Sequence, residues 1–119
     1  MTKQRKRVLD VLKNRCMHLT ADQIFTILKE EGESMVFATV YNSLNYLVDN
    51  GYIRRLHIHA TTDHYDGNLM PHDHFFCNKC GSVIDIPSTK MNLKKVDTEN
   101  QIESYEMIYY GICKTCLDN

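Results

Sequence analysis

Two cysteine pairs, Cys77-Asn-Lys-Cys80 and Cys113-Lys-Thr-Cys116, limit what this 119-residue chain can fold into more than any other feature. A Cys-x-x-Cys turn aims two sulfurs at one point, and two such turns supply the four thiolates of a closed tetrahedral zinc shell. Gly81, directly after the first pair, suits the tight knuckle. Residues 81 to 112 separate the pairs, 32 positions, which exceeds the spacing of a simple zinc ribbon. The ion must therefore tie the end of the chain back to an earlier hairpin. A thioredoxin-like redox role for one pair is the rival, but it has no use for the second pair. Cys16, the fifth cysteine, is expected to be a small buried apolar residue. No apolar run approaches the roughly 20 residues that span a bilayer, and the basic start MTKQRKRV leads into no hydrophobic stretch. Free thiols without a secretory signal point to the reducing cytoplasm, with no membrane partner.

A hydrophobic content of 43% with 24% charged residues describes a globular domain, and the net charge is only -1. The charge is unevenly placed. Residues 1 to 60 carry nine Lys/Arg against six Asp/Glu, while residues 61 to 119 carry five against nine. The first half can meet phosphate and the second can hold cations.

Three helices are predicted in the first half. Val8, Leu9, Val11 and Leu12 recur at helical spacing. Thr20-Ala-Asp-Gln23 has capping-box form and opens a second helix with the stripe Ala21, Ile24, Phe25 and Leu28, ended by Gly32 in a left-handed conformation. The third buries Val40, Leu44, Leu47 and Val48 and stops at Asn50-Gly51. Its polar face, Thr39, Tyr41, Asn42, Ser43 and Asn45, is uncharged, which suits base edges as well as it suits solvent. Leu56 and Ile58 then alternate with Arg55, His57 and His59 as a strand, Ala60-Thr61-Thr62 turns, and His64-Tyr65-Asp66 returns. Three helices, a short turn at 33 to 36 and a β-hairpin make a winged helix-turn-helix.

The fold class expected is α+β: a winged helix over residues 1–66, a Gly/Asn/Pro linker over 67–71, and a small zinc-stapled α/β domain over 72–119. In the latter, His74 to Cys77 and Ser82 to Ile86 are predicted strands joined at the cysteine turn. A polar helix is expected from about Pro87-Ser88, with Met91, Leu93 and Val96 as a thin stripe, followed by a strand from Tyr105 to Cys113. On a strand His72 and His74 share a face, roughly 7 Å apart along the backbone, and Asp73 points away. Asp85 on the neighbouring strand and Asp66 before the linker can complete a mixed N/O site suited to Fe(II), Mn(II) or Zn(II). Solvated surface histidines are the alternative. The His57/His59 pair on the wing is expected to face solvent or phosphate.

Three stretches together resemble the ferric uptake regulator (Fur) superfamily of metal-dependent repressors. They are Cys16-Met-His18-Leu-Thr-Ala-Asp22, Ala38-Thr-Val-Tyr41-Asn-Ser-Leu44, and His72-Asp-His74-Phe-Phe-Cys77-Asn-Lys-Cys80-Gly-Ser-Val-Ile-Asp85. The resemblance covers nearly the whole chain. It implies a homodimer on double-stranded palindromic operator DNA, structural Zn2+ at Cys77, Cys80, Cys113 and Cys116, and a regulatory Fe2+ or Mn2+ at His18, Asp66, His72, His74 and Asp85. His18 as a ligand comes from the resemblance alone. Tyr41 with Thr39 and Asn42 would meet base edges, and Lys3, Arg5, Lys6 and Arg54 phosphates. Aspartates at 66 and 85, with Asn42 after Ala38-Thr-Val-Tyr41, are similar to the peroxide-sensing branch (PerR); iron-uptake sensors tend to carry glutamates at the two acidic positions. In that branch iron-bound peroxide oxidises a ligand imidazole, here His18 or His72, and DNA is released.

Three departures from the family pattern stand out. The chain runs from Thr2 almost directly into its first predicted helix, where relatives usually carry another ahead, so contacts from such a helix are expected to be missing. His64 stands where an arginine is common, and the sequence ends three residues after Cys116, without a tail ligand. Other functions weigh against these expectations. An iron- or zinc-uptake regulator of the same superfamily is one. A zinc-dependent hydrolase would need an open metal position and a base such as Asp73 or Asp66, yet no HExxH occurs, and no enzyme is expected. A zinc-stapled interaction module without operator binding is a third.

Overall fold

The computed structural model describes all residues except 16, 17, 59 and 60, so Cys16, His59 and the Ala60 end of the wing turn lie outside the described residues. The chain divides into two compact units, Met1–Leu69 and Met70–Asn119.

In the first unit, α1 (Lys3–Lys13), α2 (Ala21–Glu30) and α3 (Phe37–Asp49) precede the strands β2 (Arg54–Leu56) and β3 (His64–Asp66). Each helix buries one apolar stripe: Val8, Val11 and Leu12 from α1, Ile24 and Leu28 from α2, Val40, Leu44 and Leu47 from α3. Leu19, Ile53 and Tyr65 close this core. The helix ends follow local chemistry. The Thr20 hydroxyl accepts from the Gln23 amide (3.2 Å) while the Gln23 side chain accepts from the Thr20 amide (2.9 Å), and Gly32 at φ +84° carries the chain out of α2. Thr20→Ala is expected to destabilise this unit by about 1 kcal/mol and Thr20→Ser by much less. Urea unfolding followed by the helical dichroism signal checks this.

The sheet holds one strand more than the expected hairpin. The two-residue β1 (Leu19–Thr20) pairs antiparallel with β3, Leu19 opposite Tyr65, giving the order β1-β3-β2. Two residues are too few to show an alternating pattern. A second correction concerns α3, where Ser43 is buried and does not belong to the exposed polar face.

The second unit is a three-stranded sheet, order β5-β4-β6. The central β4 (His72–Cys77) runs antiparallel to β5 (Val83–Pro87) across the Cys77–Gly81 turn, and parallel to β6 (Ile108–Gly111). Parallel strands need a long crossover, and residues 88–107 supply it. That crossover is not the expected polar helix. It contains a single 3-10 turn, Leu93–Lys95, capped by the Asn92 side chain accepting the Lys94 amide (3.1 Å) and ended where Val96 turns extended; Met91 and Val96 stay exposed, so no buried stripe sustains a longer helix. Tyr105, expected in the last strand, instead donates its hydroxyl to the Thr89 carbonyl (3.0 Å) within the crossover. A short α4 (Lys114–Leu117) follows β6 and carries Cys116. Buried apolar residues here are only Phe76, Cys77 and Cys113.

Candidate metal centres and nucleic-acid face

The four cysteines converge within the second unit. Cys77 ends β4, Cys80 lies in the turn that follows, Cys113 is the N-cap of α4 and Cys116 sits within it. Their sulfurs all lie within 4.8 Å of one another, Cys77 to Cys116 at 3.9 Å and Cys80 to Cys113 at 3.7 Å. Disulfide sulfurs would stand about 2.05 Å apart, whereas tetrahedral Zn–S bonds of about 2.3 Å place sulfurs about 3.8 Å apart. The donor set and its spacing fit zinc. Two amides point at the first sulfur, Cys80 N (3.4 Å) and Cys113 N (3.3 Å), and hold the Cys77 thiol down to about 6. Cys116 is pushed up to about 12, first by its hydrogen bond with Cys113 and then by burial. The metal-free cluster thus keeps a proton on Cys116 at neutral pH, and only a cation lets all four thiolates coexist.

Three nitrogen and oxygen donors meet on the same sheet. His72 and His74 project from one face of β4 with ring centroids 4.5 Å apart, closer than their backbone spacing because both rings lean inward. Cross-strand register sets Asp85 of β5 opposite His74. Asp85 Oδ1 lies 3.4 Å from His72 Nε2 and 3.8 Å from His74 Nε2. His72 Nδ1 stands 2.6 Å from the Met70 carbonyl, which can only accept, so Nδ1 is the donor in this pair. This is how a ligating histidine is usually oriented, with its second nitrogen bound to a carbonyl or carboxylate. Asp73 points to the other face, is buried, and accepts from the Thr89 amide (2.9 Å), which ties the crossover to the sheet.

In the first unit, His18 Nε2 lies 3.4 Å from Asp66 Oδ2, with both side chains only 6% exposed. The Asn68 amide donates to the other carboxylate oxygen (2.9 Å) and fixes the rotamer that leaves Oδ2 to the imidazole. No periodicity marks His18. The Met70 carbonyl and Asn68 amide, which orient His72 and Asp66, also leave no trace in sequence because backbone groups do this work.

Of the residues expected to meet DNA, Lys3 and Lys6 are exposed on α1, and Arg5 lies over the Tyr46 ring at 3.8 Å. Arg54 donates to the Leu69 carbonyl (3.3 Å). Tyr41 and Asn42 are exposed on α3, and Thr39 is half-buried. Asn45 is tied to Arg55. Arg7 and Arg15 pair with Glu31, Arg7 also with Glu33, and Arg55 with Asp63, while Lys13 donates to the Gly67 carbonyl (2.7 Å). A hollow of about 240 Å³ opens between Phe37, Tyr41 and Tyr65, but Asp22 and Asp63 line it and would repel a phosphate.

Comparison with known proteins places these features in company. The model of the ferric uptake regulator family matches residues 1–110. The peroxide-responsive repressor PerR of Staphylococcus aureus is 30% identical over 122 aligned positions, covering 99% of this chain and 82% of that protein. Among solved structures, the ferric uptake regulator of Francisella tularensis with iron is 30% identical, with a TM-score of 0.80 over 98% of this chain and 93% of that one. The peroxide stress regulator of Campylobacter jejuni is 27% identical, with a TM-score of 0.74 over 95% and 88%.

Proposed function

This chain belongs to the ferric uptake regulator family, and on that premise we propose that it is a metal-dependent transcriptional repressor that senses peroxide and binds palindromic operator DNA as a homodimer. The observation that carries the metal dependence is the convergence of His72, His74 and Asp85 on one face of the sheet, with Asp85 Oδ1 3.4 Å from His72 Nε2 and 3.8 Å from His74 Nε2. The structural Zn2+ is held by Cys77, Cys80, Cys113 and Cys116, and the regulatory Fe2+ or Mn2+ by His72, His74 and Asp85 of the second unit together with His18 and Asp66 of the first. Neither half-set fills a coordination shell alone.

An ion shared by ligands from both units favours one arrangement of them over others. A tenfold change in DNA affinity needs only about 1.4 kcal/mol of differential metal binding between arrangements. In the favoured one, α3 enters the major groove with Tyr41, Thr39 and Asn42 at base edges, and Lys3, Arg5, Lys6 and Arg54 serve the phosphates. Fe(II), when bound there, would supply the reducing equivalent for splitting peroxide beside the ligand imidazoles. His18 and His72 are the rings exposed to that oxidation, and an oxidised ring is a poorer donor, so the shared grip on the ion fails. Peroxide sensing rests on the resemblance to the Staphylococcus aureus repressor and on aspartates, in place of glutamates, at 66 and 85.

The Francisella tularensis relative, solved with iron, supports a second reading at equal identity: an iron-responsive regulator indifferent to peroxide. One experiment separates them. Full-length protein carrying zinc is loaded with Mn(II), Fe(II) or neither, and its DNA binding is measured before and after peroxide. Both loaded forms are expected to bind and the unloaded form to bind at least about tenfold more weakly. Peroxide is expected to abolish binding by the iron form only, with a gain of one oxygen on His18 or His72 by mass spectrometry. Equal survival of both loaded forms favours the iron-responsive reading.

A further inference from the structure

α1 and α2 each begin on a threonine whose hydroxyl caps the helix, Thr2 and Thr20. α3 does not. Its N-cap is Val36, with no side-chain cap and 63% of its surface exposed. A β-branched apolar residue is among the poorest N-caps, and exposure denies it any compensation from burial. Phe37 (39% exposed) and Tyr41 (44% exposed) extend this apolar surface, and it is held rigid. Phe37 packs edge-on against Phe25 of α2 (5.7 Å) and stacks on Tyr41 (6.3 Å).

The surroundings specify what such a surface can meet. Residues 34 to 48 contain no charged side chain, and the exposed Lys29 stands over the Phe25 ring on which Phe37 packs (5.4 Å), while Asp22 and Asp63 lie on the far, Tyr41 side. A flat hydrophobic protein partner would not call for that basic flank, whereas DNA does. In the major groove the one apolar group on any base edge is the C5 methyl of thymine. Building on the operator reading above, we propose that Val36 and Phe37 form a thymine-methyl reader at the leading end of α3, a determinant of sequence preference separate from the hydrogen-bonding Asn42.

The test uses the Mn(II)-loaded full-length protein and a pool of duplexes with a randomised centre. Bound duplexes are enriched, and each thymine of the selected site is then replaced by deoxyuridine, which removes the methyl and nothing else. At one or two thymines per half-site, affinity is expected to fall about fourfold, the worth of one buried methyl-sized group. Val36→Ser is expected to raise the melting temperature of the first unit by restoring a cap, and to erase the deoxyuridine effect at one of those positions. A purely structural role for Val36 would leave that effect in place. Enrichment of a site whose thymines all tolerate deoxyuridine overturns the reader and leaves operator binding standing. Failure to enrich any duplex overturns both.

Discussion

Cys113→Ser is expected to strip zinc from the protein and to unfold the second unit while leaving the first folded. The second unit buries only Phe76, Cys77 and Cys113 among its apolar residues, and two of these three belong to the four-cysteine cluster. A core so small cannot keep the residues of Met70–Asn119 ordered without a staple. Zinc binding of this kind is worth about 10–16 kcal/mol at neutral pH, comparable to the whole stability of an ordinary domain. Serine lacks the sulfur and breaks the tetrahedral shell at the residue that joins β6 to α4. Metal analysis should show zinc lost. Limited proteolysis should cut within residues 70–119 while Met1–Leu69 survives, and the helical dichroism signal should persist. A variant that lost its zinc and still resisted protease throughout would mean that something other than the ion holds the sheet together.

The second large effect concerns the nitrogen and oxygen set. His74→Ala should weaken Mn(II) binding by on the order of 100-fold or more, since losing even an outer partner of a ligand costs about 10- to 100-fold. Zinc content should stay unchanged. Asp73→Asn is the informative control, because Asp73 neighbours both histidines in sequence yet faces the opposite side of β4 and binds the Thr89 amide. It should leave Mn(II) affinity alone. Titration with Mn(II) followed by electron paramagnetic resonance distinguishes the two variants, and equal losses in both would place the ion elsewhere.

The three helices were legible because each carries a stripe long enough to show its period and, at α2, a cap whose residues interact within four positions. The cysteine pairs were legible because ligand spacing within a turn is local. What escaped shares the opposite property. β1 is two residues long and exists only because Tyr65 and His64 pair with it. The crossover at 88–107 has the composition of a weak helix, but Met91 and Val96 find nothing to pack on and the Tyr105 hydroxyl takes the Thr89 carbonyl. The burial of Ser43 and the exposure of Val36 and Phe37 reverse what side-chain polarity alone suggests. His18 entered through resemblance, since one imidazole beside a buried carboxylate has no pattern of its own.

β4 carries both kinds of donor: His72 and His74 at its start, Cys77 at its end. Sliding a strand by a single position against its neighbours sends every side chain to the wrong side of the sheet. Because Cys77 is anchored by sulfur and by two amides, it acts as a detent that stops β4 from creeping, and the imidazoles three and five residues upstream inherit that alignment. A zinc ion seated on that sulfur would thereby calibrate whatever metal the imidazoles take up.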